Sequence, residues 1–157
     1  MDDTKYQLYK CTSEKEIPYD VLLLADETIE AINAYITDCD VYLLRQTDNI
    51  QPFAVAALYK IDEKTVEIKN IAVSETFQSK GIGKYLMDKI KEIAREQQYQ
   101  YLIVGTSDSG FRQLNFYRKN GFKEFDVRKN FYTDNYPEPI IENGYILRDM
   151  ILLKTEL

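Results

Sequence analysis

Apolar and polar positions along the chain fall into blocks of two periods. YQLYKCT (Tyr6 to Thr12) predicts a first strand. IPYDVLLLAD and ETIEAINAYIT follow as two helices. Ile29, Ile32 and Ile36 recur at helical spacing in the second, and Asp26 is placed to cap its start. DVYLLRQT, PFAVAALYKID and TVEIKNIAV read as three strands joined by short polar turns, an antiparallel meander. A long helix opens within TFQSKGIGKYLMDKIKE, with Ile82, Leu86, Ile90 and Ile93 as its apolar stripe and Lys84, Asp88, Lys91 and Glu92 on the wet side. YLIVGT is a continuous apolar run of buried-strand length. SGFRQLNFYRKNG predicts a helix opened by Ser107 or Asp108 and closed by Gly121. Strands around FKEFDVR and GYILRDMILLKTEL complete the order β-α-α-β-β-β-α-β-α-β-β. No linker, repeat or low-complexity tract interrupts residues 1–157, so one α/β domain with a mixed sheet is expected.

The pair Gly81 and Gly83 stands out against this pattern. Glycine costs helix stability where a helix begins, so its use there lies in letting something approach the backbone closely. A Walker loop needs a glycine five residues before the Gly-Lys pair and a serine or threonine after it, where this chain has Gln78 and Tyr85. The dinucleotide fingerprint needs a third glycine where Leu86 stands. Neither matches. What remains is a turn at a helix N-terminus, flanked by Lys80 and Lys84, whose amides, helix dipole and lysine charge suit an anion such as a pyrophosphate. Taken alone, a glycine-bearing turn packed on a neighbouring strand explains Gly-x-Gly as well.

Composition narrows the chemistry. The 157 residues, 45% hydrophobic and 29% charged, are those of one ordinary globular domain. There is no histidine, which excludes Ser-His-Asp and Cys-His catalysis and histidine-based zinc. With two cysteines a cysteine-only zinc site is also excluded, so no metal centre is expected. The net charge of −6 argues against a nucleic-acid partner held by a broad basic face. Lys80, Lys84, Lys89 and Lys91 are interleaved with Asp88 and Glu92, as on an ordinary solvated helix face. No apolar run has the length of a membrane span and MDDTKYQLYK lacks a signal-peptide pattern, so no membrane partner and a cytoplasmic location are expected. Cys11 and Cys39 are expected as buried free thiols, with no base to make Cys39 a nucleophile.

The run Gln78-Ser79-Lys80-Gly81-Ile82-Gly83, after IAV and before an amphipathic helix, resembles the Gln/Arg-x-x-Gly-x-Gly/Ala loop of the GCN5-related N-acetyltransferases (GNAT). FYRKNGF (Phe116 to Phe122) is similar to that family's Phe/Leu-Tyr-x-x-x-Gly-Phe. The element order agrees, and the resemblance covers nearly the whole chain. The tail NYPEPIIENGYILRDMILL further resembles a bacterial subgroup of small acetyltransferases. The resemblance implies a mostly antiparallel sheet flanked by helices and direct transfer of an acetyl group from acetyl-coenzyme A to a primary amine. Backbone groups of Ile71, Ala72 and Val73 would pair with the pantetheine arm like an added strand, and one N–H would hold the thioester carbonyl. Amides from Gln78 to Lys84 (Ser79, Lys80, Gly81, Ile82 and Gly83 between them) would take the pyrophosphate. Tyr117 falls where the family places the proton donor to the departing thiolate.

Glu67 falls four residues before the Ile71 position, where a subset of the family carries a catalytic glutamate acting through water. A solvent-facing glutamate on an alternating strand is the competing reading, and Glu142 and Asp134 are secondary candidates. The family's asparagine seven residues before the tyrosine is here Gly110, and its alanine four before it is Gln113. Ser107, Ser109 or Asn115 could replace the asparagine. The acceptor class stays open between a small amine and a protein amine, as does a homodimer. The late segment FYTDNYPEPIIENG, stiffened by Pro137 and Pro139, predicts a cationic small amine held by Asp134, Glu138 and Glu142 with the faces of Tyr132 and Tyr136. A non-catalytic acyl-coenzyme A-binding domain is the alternative from another class.

Overall fold

The computed structural model describes residues 4–157. Its main strands are β1 (Tyr6–Lys10), β2 (Asp40–Gln46), β3 (Pro52–Lys60), β4 (Thr65–Val73), β5 (Tyr101–Ser107), β6 (Lys123–Arg128) and, after a small hairpin of β7 (Ile141–Glu142) and β8 (Tyr145–Ile146), β9 (Met150–Glu156). The helices are α1 (Tyr19–Leu22), α2 (Ile29–Asn33), α3 (Ile82–Glu96), α4 (Phe111–Lys119) and α5 (Phe131–Asn135). The main sheet runs β1-β2-β3-β4-β5-β9-β6, and every pairing is antiparallel except β4 with β5. This is the mixed, mostly antiparallel sheet expected.

Strand β3 shows why both faces are covered. Phe53 to Leu58 are all buried, and a strand apolar on both sides needs a cover on each. Ala54, Ala56 and Leu58 pack into one core with Ile82, Leu86, Met87, Ile90 and Ala94 of α3 and Leu114 and Tyr117 of α4. Val55 and Ala57 join a second core with Val21, Leu22, Ile32 and Ile36. The i, i+4, i+8 spacing of Ile82, Leu86 and Ile90 produces the α3 stripe, and each such side chain contributes roughly 1.5–3 kcal/mol on burial. Ile93 is only partly buried, so Ala94 carries the last turn into the core. On the outer side Lys84 pairs with Asp88 at 2.8 Å and Lys89 with Glu92 at 3.7 Å, as expected of a solvated face. Lys91 departs from it. Its ammonium donates to the Asn120 carbonyl at the C-terminus of α4 and lies over the Phe122 ring.

The first helices are shorter than their periodicity suggests. Helices of four and five residues cannot stand on propensity and are held by the second core. Leu24 and Ile29, each 47% exposed, fall outside it. Thr28, not Asp26, caps α2, its hydroxyl accepting from the Ala31 N–H at 3.0 Å. Neither Ser107 nor Asp108 caps α4; Ser107 ends β5, and α4 starts after Gly110 with no side-chain cap. Gly121 follows the end of α4 with a φ of 91°, as its position suggested. Helix α5 and the β7–β8 hairpin are additions between the last two main strands. Cys11 and Cys39 are free thiols but half-buried rather than buried. Among the described residues no helix is long and apolar enough to cross a membrane.

Candidate active site

The pairing of β4 with β5 sets the site. It runs from Thr65↔Tyr101 to Ile68↔Val104 and stops there. Beyond that point β4 continues on β3 as far as Val73, and β5 continues on β9 as far as Ser107. The sheet therefore splits at its centre and leaves one edge of Ile71, Ala72 and Val73 without a strand beside it. A cleft of about 640 Å³ occupies the split, lined by β4 from Glu67 to Val73, by Val104 to Thr106, by α4 and by the α1–α2 loop. An unpaired strand edge is a template for an extended ligand.

A bulge in β4 decides which side chains face the cleft. Ala57 opposes Asn70 while Leu58 opposes Ile68, so Lys69 is an extra residue and the alternation slips by one. Val66 and Ile68 point into the α3 core before it, and Ile71 and Val73 pack against that core after it. Glu67 and Asn70 share the other side, and both are buried and line the cleft. Glu67 is 2% exposed, which removes the solvent-facing reading. Its Oε1 lies 3.4 Å from Lys69 Nζ and 3.7 Å from Arg128 Nη2, yet has no hydrogen-bond partner among the described residues.

At the far end of β4 the glycine loop begins. Gln78 Nε2 donates to the Val73 carbonyl at 2.8 Å and ties the loop to the strand end. Ser79 (φ 62°) and Gly81 (φ 79°) both take left-handed backbone, and no side chain caps the first turn of α3. Amides at that helix start are therefore left with no partner from a capping side chain. The two glycines have different duties. A Cβ on Gly83 would lie 3.3 Å from the Phe116 ring, so Gly83 lets α3 and α4 close together, while Gly81 shapes the turn. Gln78 and Gly83 line the cleft. Ser79, Lys80, Gly81 and Lys84 are exposed, Ile82 is buried with only its backbone available, Lys80 rests over Phe77, and Lys84 is paired with Asp88.

Helix α4 brings Tyr117 to the cleft that β4 also lines. Its ring is wedged edge-on between Phe116 and Phe122, and burial alone pushes its hydroxyl well above the usual tyrosine range. The hydroxyl thus keeps its proton through neutral and moderately alkaline pH. The missing asparagine has a steric reason: a Cβ on Gly110 would meet Ser107 Oγ at 2.9 Å and Glu142 Oε1 at 3.1 Å. Ser107 donates to that carboxylate at 2.9 Å, so both residues are engaged there. Asn115 is exposed and Ser109 lies off the cleft, whereas Gln113 lines it.

The remaining wall is assembled from distant segments. Asp26 accepts from the Tyr35 hydroxyl at 3.1 Å and the Tyr136 hydroxyl at 2.7 Å, joining the α1–α2 loop to the end of α5. Asn70 Nδ2 donates to Tyr35 and to the Leu22 carbonyl, at 3.1 and 3.0 Å, which extends the chain of bonds to β4. Tyr132 stacks on Tyr136 with ring centroids 6.0 Å apart, and both line the cleft. Of the three carboxylates expected from the late segment only Glu142 lines the cleft, while Asp134 and Glu138 are exposed and outside the lining; Asp26 and Glu27 join Glu142 there. Cys39 lies within the field of Lys69 and Glu67, but burial pushes its thiol up to about 12, which leaves it protonated and unreactive.

Comparison with known proteins agrees with this architecture. The acetyltransferase (GNAT) family pattern matches residues 6–122. YvbK of Bacillus subtilis (strain 168), an uncharacterized N-acetyltransferase, is 37% identical over 139 residues, 88% of each chain. A GNAT family acetyltransferase from Elizabethkingia anophelis, crystallised with acetyl-CoA bound, is 44% identical with a TM-score of 0.92, over 99% of this chain and 100% of that one. An IAA acetyltransferase from Bacillus cereus ATCC 14579 is 38% identical with a TM-score of 0.88, over 97% and 99%. The class is that of acetyltransferases drawing on acetyl-coenzyme A. Within it the chain belongs to the GNAT family, and its reaction is N-acetyl transfer from that cosubstrate. The non-catalytic alternative is thereby set aside.

Proposed function

We propose that acetyl transfer takes place in the split between β4 and β5, by direct attack of a primary amine and with no acetylated enzyme. The observation that carries this reading is that Glu67 and Tyr117 both line one cleft, beside an unpaired strand edge. Amides of Ile71 to Val73 would hold the pantetheine arm and the thioester carbonyl, and amides from Gln78 to Lys84 the diphosphate. The left-handed turn and the uncapped helix start support that fit. The cosubstrate supplies an acetyl thioester. The amine nitrogen forms the new N–C bond as the C–S bond breaks; Glu67, directly or through a water, takes the amine proton, and the Tyr117 hydroxyl donates to the departing thiolate. The free thiols of Cys11 and Cys39 suit a cytoplasmic setting.

Initial rates of thiol release with acetyl-coenzyme A and a panel of primary amines test the scheme. Both substrates must be present together, so double-reciprocal plots should intersect; parallel lines would signify a covalent acetyl-enzyme and overturn direct attack.

The loop has its own test. Valine at Gly81 places a β-branched residue at a φ of 79°, a conformation such residues rarely adopt, and so redirects the amides. Calorimetry with Gly81→Val is expected to show acetyl-coenzyme A binding weakened on the order of tenfold or more, with the fold retained and the melting temperature lowered by only a few degrees, as one strained residue in an exposed turn would do. Unaltered affinity would remove the loop from the diphosphate site. Gly83→Val is the poorer probe, since it also collides with Phe116.

A further inference from the structure

Lys69 and Arg128 share a single carboxylate between them. Both lie near a single oxygen, Glu67 Oε1, at 3.4 and 3.7 Å, and neither hydrogen-bonds it. Lys69 otherwise rests over the Tyr59 ring at 5.3 Å, and among the described residues Arg128 Nη1 donates to the weak acceptor Met150 Sδ at 3.9 Å. All three residues line the cleft, and around Glu67 two cations face one carboxylate; Asp26 and Glu142, which line it too, are engaged by the hydroxyls of Tyr35, Tyr136 and Ser107. Beside them Asn70, 4% exposed, spends its donors on Leu22 and Tyr35 and leaves Oδ1 buried with no partner. The acceptor side therefore presents two unpartnered acceptor oxygens for N–H groups, with two under-used cations next to them.

We propose that the acceptor is an α-amino acid, its carboxylate held by Lys69 and Arg128 and its amine facing Glu67 Oε1 and Asn70 Oδ1. This deepens, and rests on, the reading of Glu67 as the proton acceptor. In an α-amino acid one carbon separates the two groups and about 3 Å lies between nitrogen and the nearer oxygen. That span matches a site where the cations stand beside the accepting carboxylate. A plain alkylamine brings no second carboxylate to the two cations, and a polyamine adds charge of the wrong sign. Leu24, Ala31, Ala34 and Phe131 form the apolar part of the same cleft and would receive the side chain.

The test sets each of the twenty standard amino acids against its own carboxamide, which keeps the amine and removes the carboxylate charge. Two readouts are taken: calorimetric binding to the protein saturated with coenzyme A, and thiol release with acetyl-coenzyme A. At least one amino acid should bind and turn over with a Kd and KM on the order of tenfold below those of its amide, the usual weight of a charge-assisted pair. Lys69→Met and Arg128→Met should each shrink that preference severalfold while acetyl-coenzyme A affinity stays constant. Equal use of acid and amide, or amides preferred throughout, would overturn the inference and leave acetyl transfer standing. Carboxylate-dependent binding without turnover would make the amino acid a ligand and not the acceptor, and would overturn the inference. If no amino acid binds, or if both methionine variants keep the full preference, the cations serve Glu67 alone and the inference fails.

Discussion

Replacing Tyr117 with phenylalanine is expected to lower kcat on the order of 10²-fold while leaving acetyl-coenzyme A affinity unchanged. The ring is packed between Phe116 and Phe122, and both contacts survive the loss of one oxygen, so the α4 packing is retained. What disappears is the proton offered to a departing thiolate, a step whose removal typically costs that much. The pH profile adds a second signature. Burial alone raises the Tyr117 hydroxyl, so its proton is retained past the point where an ordinary tyrosine ionises, near pH 10. The wild-type rate should therefore show no alkaline fall from this group below that pH. A variant with undiminished kcat at saturating amine would make Tyr117 a core aromatic only.

Glu67→Gln should produce a deficit of similar size with a different dependence on pH. Glutamine keeps the volume of this buried side chain but cannot take a proton. Amines reach the site mostly protonated at neutral pH, since their usual pKa values run from about 8 to about 10. The expected loss is on the order of 10²-fold at pH 7, shrinking as pH rises and more amine arrives already neutral. A purely structural role for Glu67 would give a deficit indifferent to pH. Steady-state kcat across pH 6.5 to 9.5 distinguishes the two, and a variant within threefold of wild type at pH 7 would remove Glu67 from proton transfer.

What could be read from the chain and what could not follows from the range of the interactions concerned. The glycine loop is local: a strand, a turn and a helix start, each with its signal within a dozen residues. Glu67 was visible as a charged residue in an apolar-rich run, but its direction depends on the bulge at Lys69, and no pattern of period two reveals an extra residue. Asp26 looked like a helix cap because aspartate before an apolar-periodic stretch usually is one. Its actual partner, Tyr136, stands 110 positions later, beyond any sequence window. Gly83 was grouped with Gly81 because the ring it accommodates belongs to α4. Lys69 and Asn70 form a polar pair in the middle of a strand otherwise destined for burial, a signal that the sequence does carry. Of the acidic residues of the late loop Glu142 does line the cleft, whereas Asp134 and Glu138, near it in sequence, are turned to solvent.

The two cores on either side of the sheet have a consequence for how such an enzyme can diversify. Helices α3 and α4, assigned to the coenzyme in the proposed scheme, draw their stability from one core, and α1 and α2, assigned to the acceptor side, from the other. Helix α5 buries no residue in either and is joined to the α1–α2 loop through Asp26. Substitutions that reshape the acceptor wall thus spend stability from a reserve separate from the one that grips acetyl-coenzyme A, and effects at well-separated positions add with little interference. A lineage built on this scaffold can drift from one amine to another while its hold on the acetyl donor is inherited intact.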